Sequence, residues 1–263
     1  MMRIMILTTI RHGIASRVLP ELCANPKLTV VKVVLANGVF QNRKRMLKRK
    51  IQKTIRIGLL GALNGIRLRD WYIDKEAEDI CMLCDSMNIP MSETEVINCE
   101  ATRELFREAS ADIGLSLGNG YITKSVFSIP KYGMLNIHTE ILPCYQGAQS
   151  ILWPIFDGVK ETGFTIHQVD SHIDTGEILF LEKYPILFFP TLRETVEKNL
   201  MTARGKIPAA FSYVCENYEP LKDKSKTQGT GKSYTTPTFW QFRRMVKKHK
   251  LMYQESLAGP SET

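Results

Sequence analysis

The chain has no apolar run near the roughly 18 residues needed to cross a bilayer, so no membrane partner is expected. Its apolar start, Met1 to Ile10, is interrupted by Arg11 and His12 and lacks a cleavage-site pattern. It therefore reads as a first buried strand and not as a signal peptide. Without an export signal, the six cysteines read as reduced thiols, and the expected location is the cytoplasm. Cys81 and Cys84 form a C-x-x-C, but no second Cys/His pair completes a zinc site; core packing is the reading and no metal is expected. No G-x-G-x-x-G follows the first strand, which argues against a nicotinamide cofactor. Gly229 to Ser233 imitates the end of a phosphate loop, yet Lys226 stands where that loop needs glycine, and no buried strand precedes it. Internal repeats and long low-complexity segments are also missing.

What is present suffices for a full core: 263 residues, 44% of them hydrophobic. The net charge of +8 is unevenly placed. Eight Lys or Arg residues lie between Arg43 and Arg56 with no acid among them, and Arg243, Arg244, Lys247, Lys248 and Lys250 form a second cluster. Such an excess suits an anionic ligand or partner; a solvated basic face is the plain alternative.

Strands are expected at Arg3 to Thr8, Leu28 to Ala36, Glu95 to Ile97, Ile113 to Leu117 and Met134 to Ile137. Helices are expected at Gly13 to Cys23, Gly58 to Trp71, Lys75 to Met87 with Asp74 as cap, and Ala101 to Ser110. The alternation predicts an α/β fold with a doubly wound, mostly parallel sheet. A helix over Ser150 to Asp157 and strands over Thr162 to Val169 and Glu177 to Tyr184 follow. A helix of about 25 residues then starts near Thr191, with Glu194 in its first turn and a kink or break expected at Gly205 and Pro208. Lys222 to Lys232 reads as a loop, and Ser233 to Tyr253 as a small appendage packed on the main domain. The expected division is a catalytic domain over 1–218 and a C-terminal extension over 219–263.

The stretch from Leu135 to Gly147, Leu-Asn-Ile-His-Thr-Glu-Ile-Leu-Pro-Cys-Tyr-Gln-Gly, carries the most chemistry. Asn136 and His138 stand two apart at the end of a strand, so they share a face. Open α/β sheets place ligands at such strand ends. Asp174 follows in a Gly-bearing turn, Ile173-Asp174-Thr175-Gly176-Glu177. An amide, an imidazole and a carboxylate can together bind an oxyanion, relay a proton and orient the relay.

Asn-x-His, then Leu-Pro-x-x-x-Gly, then Thr-Gly-x-Thr-Ile-His and Asp-Thr-Gly resemble the folate-dependent formyltransferases, densely from about Ala111 to Tyr184. The resemblance implies a Rossmann-like core, 10-formyltetrahydrofolate as co-substrate, and transfer of its formyl group to an amine. Asn136 would donate to the negative oxygen that develops, His138 would donate to it or move the amine proton, and Asp174 would hold the imidazole. Leu142-Pro143 and Gly147 resemble the loop shaping the folate pocket, and Tyr121 and Ile122 match apolar pocket positions. Backbone groups from Val169 through Asp170, Ser171 and His172 to Ile173 correspond to those that recognise the pterin; plain core is the alternative for the apolar ones. His167 reads as structural, and Tyr145 and Trp153 as packed aromatics.

Within that family, Thr8 to Gly13 lacks the Gly- and Asn-rich phosphate loop of glycinamide ribonucleotide transformylase. The basic segment lies where methionyl-tRNA formyltransferases carry a basic loop, but Gly-Arg-Gly-Lys-Lys is missing, and the residues after Tyr218 are too few for their β-barrel. Tyr145 to Ile155 resembles the sugar N-formyltransferases. The expected substrate is therefore a nucleotide-linked amino sugar for surface polysaccharide (lipopolysaccharide O-antigen) synthesis, GDP-perosamine first and a dTDP-linked sugar next. A methionyl-tRNA formyltransferase-like enzyme, or a nucleic-acid-binding protein using residues 43–56, stays as the alternative. No stable nucleic-acid partner is expected, and a homodimer is left open.

Overall fold

The computed structural model describes residues 1–39 and 43–258, with the side chains of 43–46 and 49 outside the description. In chain order the elements are β1 (Met2–Thr8), α1 (Ile14–Ala24), β2 (Leu28–Ala36), α2 (Arg43–Trp71), α3 (Ile80–Ser86), β3 (Met91–Thr94), α4 (Glu100–Ala109), β4 (Ile113–Ser116) and α5 (Lys124–Phe127). After them come β5 (Met134–His138), β6 (Gln146–Gly147), α6 (Leu152–Asp157), β7 (Glu161–Gln168), β8 (Ile178–Pro185), α7 (Leu192–Glu216), α8 (Tyr218–Asp223), β9 (Ser233–Tyr234) and α9 (Phe239–Leu257).

Seven strands form one sheet in the order β3-β2-β1-β4-β5-β7-β8. Pairings from β3 through β5 are parallel, whereas β7 runs antiparallel to both β5 and β8. The mostly parallel, doubly wound sheet expected from the alternation is what forms. Strand order reverses between β1 and β4, and the crevice at such a reversal is where open α/β sheets take ligands. The central strands are buried on both faces: Ile4, Met5, Ile6 and Leu7 of β1 are fully covered, Ile4 and Ile6 packing with α1 and α7, Met5 and Leu7 with Phe106 of α4.

Several boundaries differ from the sequence reading, each for a physical reason. Asp74 does not cap a helix. Its carboxylate is buried and takes a two-pronged ion pair from Arg17 (2.5 and 2.8 Å), with Arg204 3.6 Å away. The helix starts later, and Asp79 caps it by accepting from the Cys81 amide at 2.9 Å. Val96 and Ile97, expected in a strand, are buried in the connection after β3, so their apolar character serves packing and not sheet pairing. Gly205 and Pro208 do not break α7; the helix continues because Ile207, Ala210, Phe211 and Val214 bury one face on the core. Thr191 and Glu194 form the capping box that opens this helix. Gly58, where a helix was expected to begin, interrupts α2 with φ 75° and ψ 162°, a conformation that suits glycine. The segment expected to be a loop before Lys232 begins inside α8.

Candidate active site

One cavity of about 600 Å³ opens beside the strand-order reversal. It is bordered by the segment after β4 (Gly118 to Ile122), the end of β5 (Asn136 to His138), and the loop after β7 (Val169 to Asp174). Arg56, the last cation of the basic segment 43–56, lines it as well, and so do Ser233, Tyr234 and Thr235, from the segment read as an extension beyond 218, which were not foreseen. The β6–β9 pair explains the latter: Gly147 pairs in parallel with Tyr234, which seats the C-terminal segment against the β5–α6 loop. Gly147 is required there, since it has φ 96° and a Cβ would lie 2.3 Å from the Tyr234 carbonyl oxygen.

Asn136 and His138 both border the cavity, as the period of two implies. Asp174 reaches them from the β7–β8 loop. That loop is held close by Gly176, where a Cβ would lie 1.8 Å from the Gln168 carbonyl oxygen. Asp174 itself has φ 56°, a left-handed conformation uncommon outside glycine, asparagine and aspartate. Its Oδ2 accepts from the Gly147 amide at 2.9 Å and faces His138 Nδ1 at 3.5 Å; its Oδ1 faces His167 Nε2 at 3.6 Å.

His167, read from sequence as structural, has a more particular place than packing alone. It is buried in β7, as a core strand residue would be, but its ring belongs to the polar cluster. Its Nδ1–H donates to the Gln168 carbonyl at 2.9 Å, which leaves Nε2 to accept from Asn136 Nδ2 at 3.2 Å. The Asn136 amide is thereby held with its nitrogen toward His167. The antiparallel β5–β7 register sets this up, with His167 directly opposite Asn136.

His138 Nε2–H donates to the Tyr145 carbonyl at 2.6 Å. A proton gained by either imidazole therefore goes onto a nitrogen facing Asp174: Nδ1 of His138 or Nε2 of His167. Burial lowers the pKa of His138, and the Asp174 carboxylate and the Tyr145 carbonyl oppose this only in part, so the ring rests neutral at pH 7. For Asp174, burial pushes upward, but His167, His138 and the Gly147 amide outweigh it and hold the carboxyl below its usual range.

Glu140, two residues past His138, was not singled out from sequence. It is 2% exposed, and its carboxylate accepts from the Ile151 amide (2.5 Å), the Thr162 hydroxyl (3.0 Å) and the Ile141 amide (3.2 Å). Burial pushes its pKa up to about 7 despite those donors. Ile151, held this way, has φ 70°, strained for a β-branched residue. Glu140 thus anchors both ends of the loop that presents the Tyr145 carbonyl and the Gly147 amide to His138 and Asp174.

Of the expected cofactor positions, Tyr121, Ile122, Val169, Asp170, His172 and Ile173 border the cavity. Leu142 does not; it is buried in the core, its amide donating to Thr165 Oγ1 at 3.2 Å. Ser171 is not among the lining residues, although its carbonyl accepts from the Tyr121 hydroxyl at 3.2 Å. The Asp170 carboxylate is occupied within its own loop, accepting from the His172 amide and the Thr175 hydroxyl. Tyr145 and Trp153 are packed aromatics with Tyr234 between them, at ring separations of 5.5 and 4.6 Å. Asn119 was also missed: its Nδ2 donates to the Leu7 carbonyl at 2.6 Å, while its buried Oδ1, on a residue lining the cavity, has no partner among the described residues.

Comparison with known proteins finds likenesses in both sequence and fold. Residues 87–209 match the family model described as formyl transferase. A methionyl-tRNA formyltransferase from Orientia tsutsugamushi (strain Boryong) is 32% identical over 181 residues, which is 64% of this chain and 59% of that protein. The chain therefore spans less than two thirds of that relative's length. Among solved structures, glycinamide ribonucleotide transformylase 1 from Symbiobacterium toebii superposes with TM-score 0.59 at 15% identity, covering 87% of this chain and 92% of that one. An N-formyltransferase from Helicobacter canadensis, solved with folinic acid and dTDP-3-aminofucose, gives TM-score 0.55 at 17% identity, covering 97% of this chain and 82% of that one. Asn136, His138, His167 and Asp174 all lie inside the segment that matches the formyl transferase family model.

Proposed function

We propose that the protein transfers a formyl group from 10-formyltetrahydrofolate to the amino group of a nucleotide-linked amino sugar, with GDP-perosamine or a similar 4-amino-4,6-dideoxyhexose as the first candidate. The observation that carries the chemistry is the cluster in which Asp174 faces two imidazoles, one of which fixes the Asn136 amide. The cavity fits a reduced folate in size and character. At about 600 Å³ it lies within the usual range for small-molecule sites. Tyr121, Ile122, Val169 and Ile173 offer apolar surface, and Asn119 Oδ1 lacks a donor. When bound, the folate supplies the formyl group.

The chain's own residues do the rest. Asn136 Nδ2, aligned by His167, has a second N–H to donate toward negative charge developing on the formyl oxygen, an effect worth about 3 kcal/mol in such sites. Neutral His138 can take a proton at Nδ1, where Asp174 stabilises the resulting cation. The sugar-nucleotide assignment draws support from the Helicobacter enzyme, which aligns along 97% of this chain. Arg56 at the cavity wall provides a cation for a pyrophosphate. A second reading, formylation of methionyl-tRNA, is favoured by the sequence relatives bearing that name and by the cations of α2.

Incubating the protein with 10-formyltetrahydrofolate and, in parallel, a panel of GDP- and dTDP-linked amino sugars or methionyl-tRNA separates the two. The expected result is a sugar nucleotide heavier by one formyl group in place of hydrogen. Formylated methionyl-tRNA with no sugar product would replace the substrate, and no product of either kind would overturn the proposal.

A further inference from the structure

Helix α2 carries its apolar side chains on the wrong side for a helix that serves only the core. Its inward face is already packed: Ile57, Gly61, Leu68 and Trp71 are buried, and Gly61 and Gly65 lie against Thr238 and Thr236 just before α9. Outward stand Leu47, Ile51, Ile55, Leu59, Leu63 and Ile66, between 52% and 78% exposed. Leu47, Ile51 and Ile55 follow one another at steps of four before the break at Gly58, and Leu59, Leu63 and Ile66 at steps of four and three after it, so each half of α2 carries its own exposed apolar stripe. Leu60 lies beside the second stripe of this ridge and, with Leu63, Phe239 and Phe242, lines an apolar groove between α2 and α9. Asp and Glu are absent from 43–69, while exposed Lys48, Lys50, Lys53, Arg56, Arg67 and Arg69 accompany the ridge. Arg67, Arg243, Lys247 and Lys250 line the groove.

We propose that α2 and the adjoining face of α9 form a docking surface for an anionic lipid bilayer, on which the protein sits peripherally. None of the described helices is long and apolar enough to cross a membrane, so the contact is with one leaflet's surface. The composition selects this occupant. Leu and Ile side chains with flanking long cations match an interface where apolar groups enter the acyl boundary and Lys or Arg heads reach the phosphates. A second copy of the chain docked on the same ridge would bring two cationic, acid-free 43–69 stretches face to face, which disfavours a two-fold contact. An RNA would neutralise the cations but leave six large apolar side chains in water. Arg56 belongs to both the ridge's fringe and the wall of the catalytic cavity, so a docked bilayer lies beside the cavity's mouth. The surface does not depend on which amine the cavity takes.

The test is co-sedimentation of the full-length protein with vesicles of phosphatidylcholine, with and without phosphatidylglycerol, alongside filter binding to bulk tRNA and sizing of the free protein. Expected is retention on the anionic vesicles and little on the neutral ones. A Leu59→Ser/Leu63→Ser variant, altering only exposed side chains, should lose at least about tenfold in vesicle affinity while keeping its circular dichroism and melting temperature. Failure of the wild type to bind anionic vesicles overturns the proposal. So does vesicle binding unchanged in the double variant, which would mean charge alone, or a dimer that the double variant dissociates. Tight tRNA binding that the Leu→Ser changes leave intact, together with no vesicle binding, would assign the surface to nucleic acid instead.

Discussion

Two regions of this molecule depart from the usual distribution of polar and apolar side chains, in opposite directions. Around β5 and β7, His138, Glu140 and His167 are buried and Asp174 nearly so, whereas along α2 a row of Leu and Ile is exposed. In the first region each polar group has a designated partner, which is what makes burial tolerable. In the second, the apolar groups have no partner within the chain and are bordered by cations. The contrast separates a site whose work is done by fixed geometry from a surface whose partner is yet to arrive. Substitutions in the first should cost stability and turnover; substitutions in the second should cost neither.

The largest effect on folding is expected at Glu140. Glu140→Ala leaves the Ile151 amide and the Thr162 hydroxyl without their acceptor, at a cost of about 2–4 kcal/mol, measurable by urea unfolding. Because its folded-state pKa is raised, from 4.5 to about 7, protonated Glu140 contributes stability that is fully present below about pH 4.5 and lost as pH rises through 7. The Glu140→Gln variant should therefore show a flatter stability profile between pH 4.5 and 7 than the wild type. An unchanged profile would mean that another group titrates there.

A smaller loss, about tenfold in kcat with little change in KM, is expected for His167→Gln, because the Asn136 amide is then less firmly aimed. Steady-state kinetics check this, and a full-rate variant would return His167 to the plain core role first read from sequence. The low pKa of His138 adds a pH prediction. The neutral ring is the form that accepts a proton, so kcat/KM should hold its plateau below pH 6.5 and fall only as pH drops through that lowered value. The smallest effect belongs to α2: Leu59→Ser and Leu63→Ser should each shift stability by no more than about 0.5 kcal/mol. A larger destabilisation would show that the ridge packs within the chain after all.

The sequence made the candidate trio legible because Asn136, His138 and Asp174 sit in short, regularly spaced motifs whose side-chain directions follow from strand geometry. The doubly wound sheet was legible for a related reason, since alternating strands and helices constrain topology strongly. His167 was not, because its role comes from pairing across 31 residues of chain; within its own strand it looks like any buried residue. The Ser233 to Thr235 segment was hidden by a longer separation still. Asp74 misled for the opposite reason: an acid before a helix is a good local cap signal, but the tertiary ion pair with Arg17 and Arg204 claimed it.

The most direct test of the account compares single-turnover formyl transfer by wild type, Asn136→Ala and Asp174→Asn at saturating 10-formyltetrahydrofolate and amine, with product followed by mass. The account predicts a drop of about a hundredfold or more in each variant, and a double variant little worse than either single one because the residues act as one unit. Near-normal transfer by Asn136→Ala, or losses that multiply in the double variant, would contradict it.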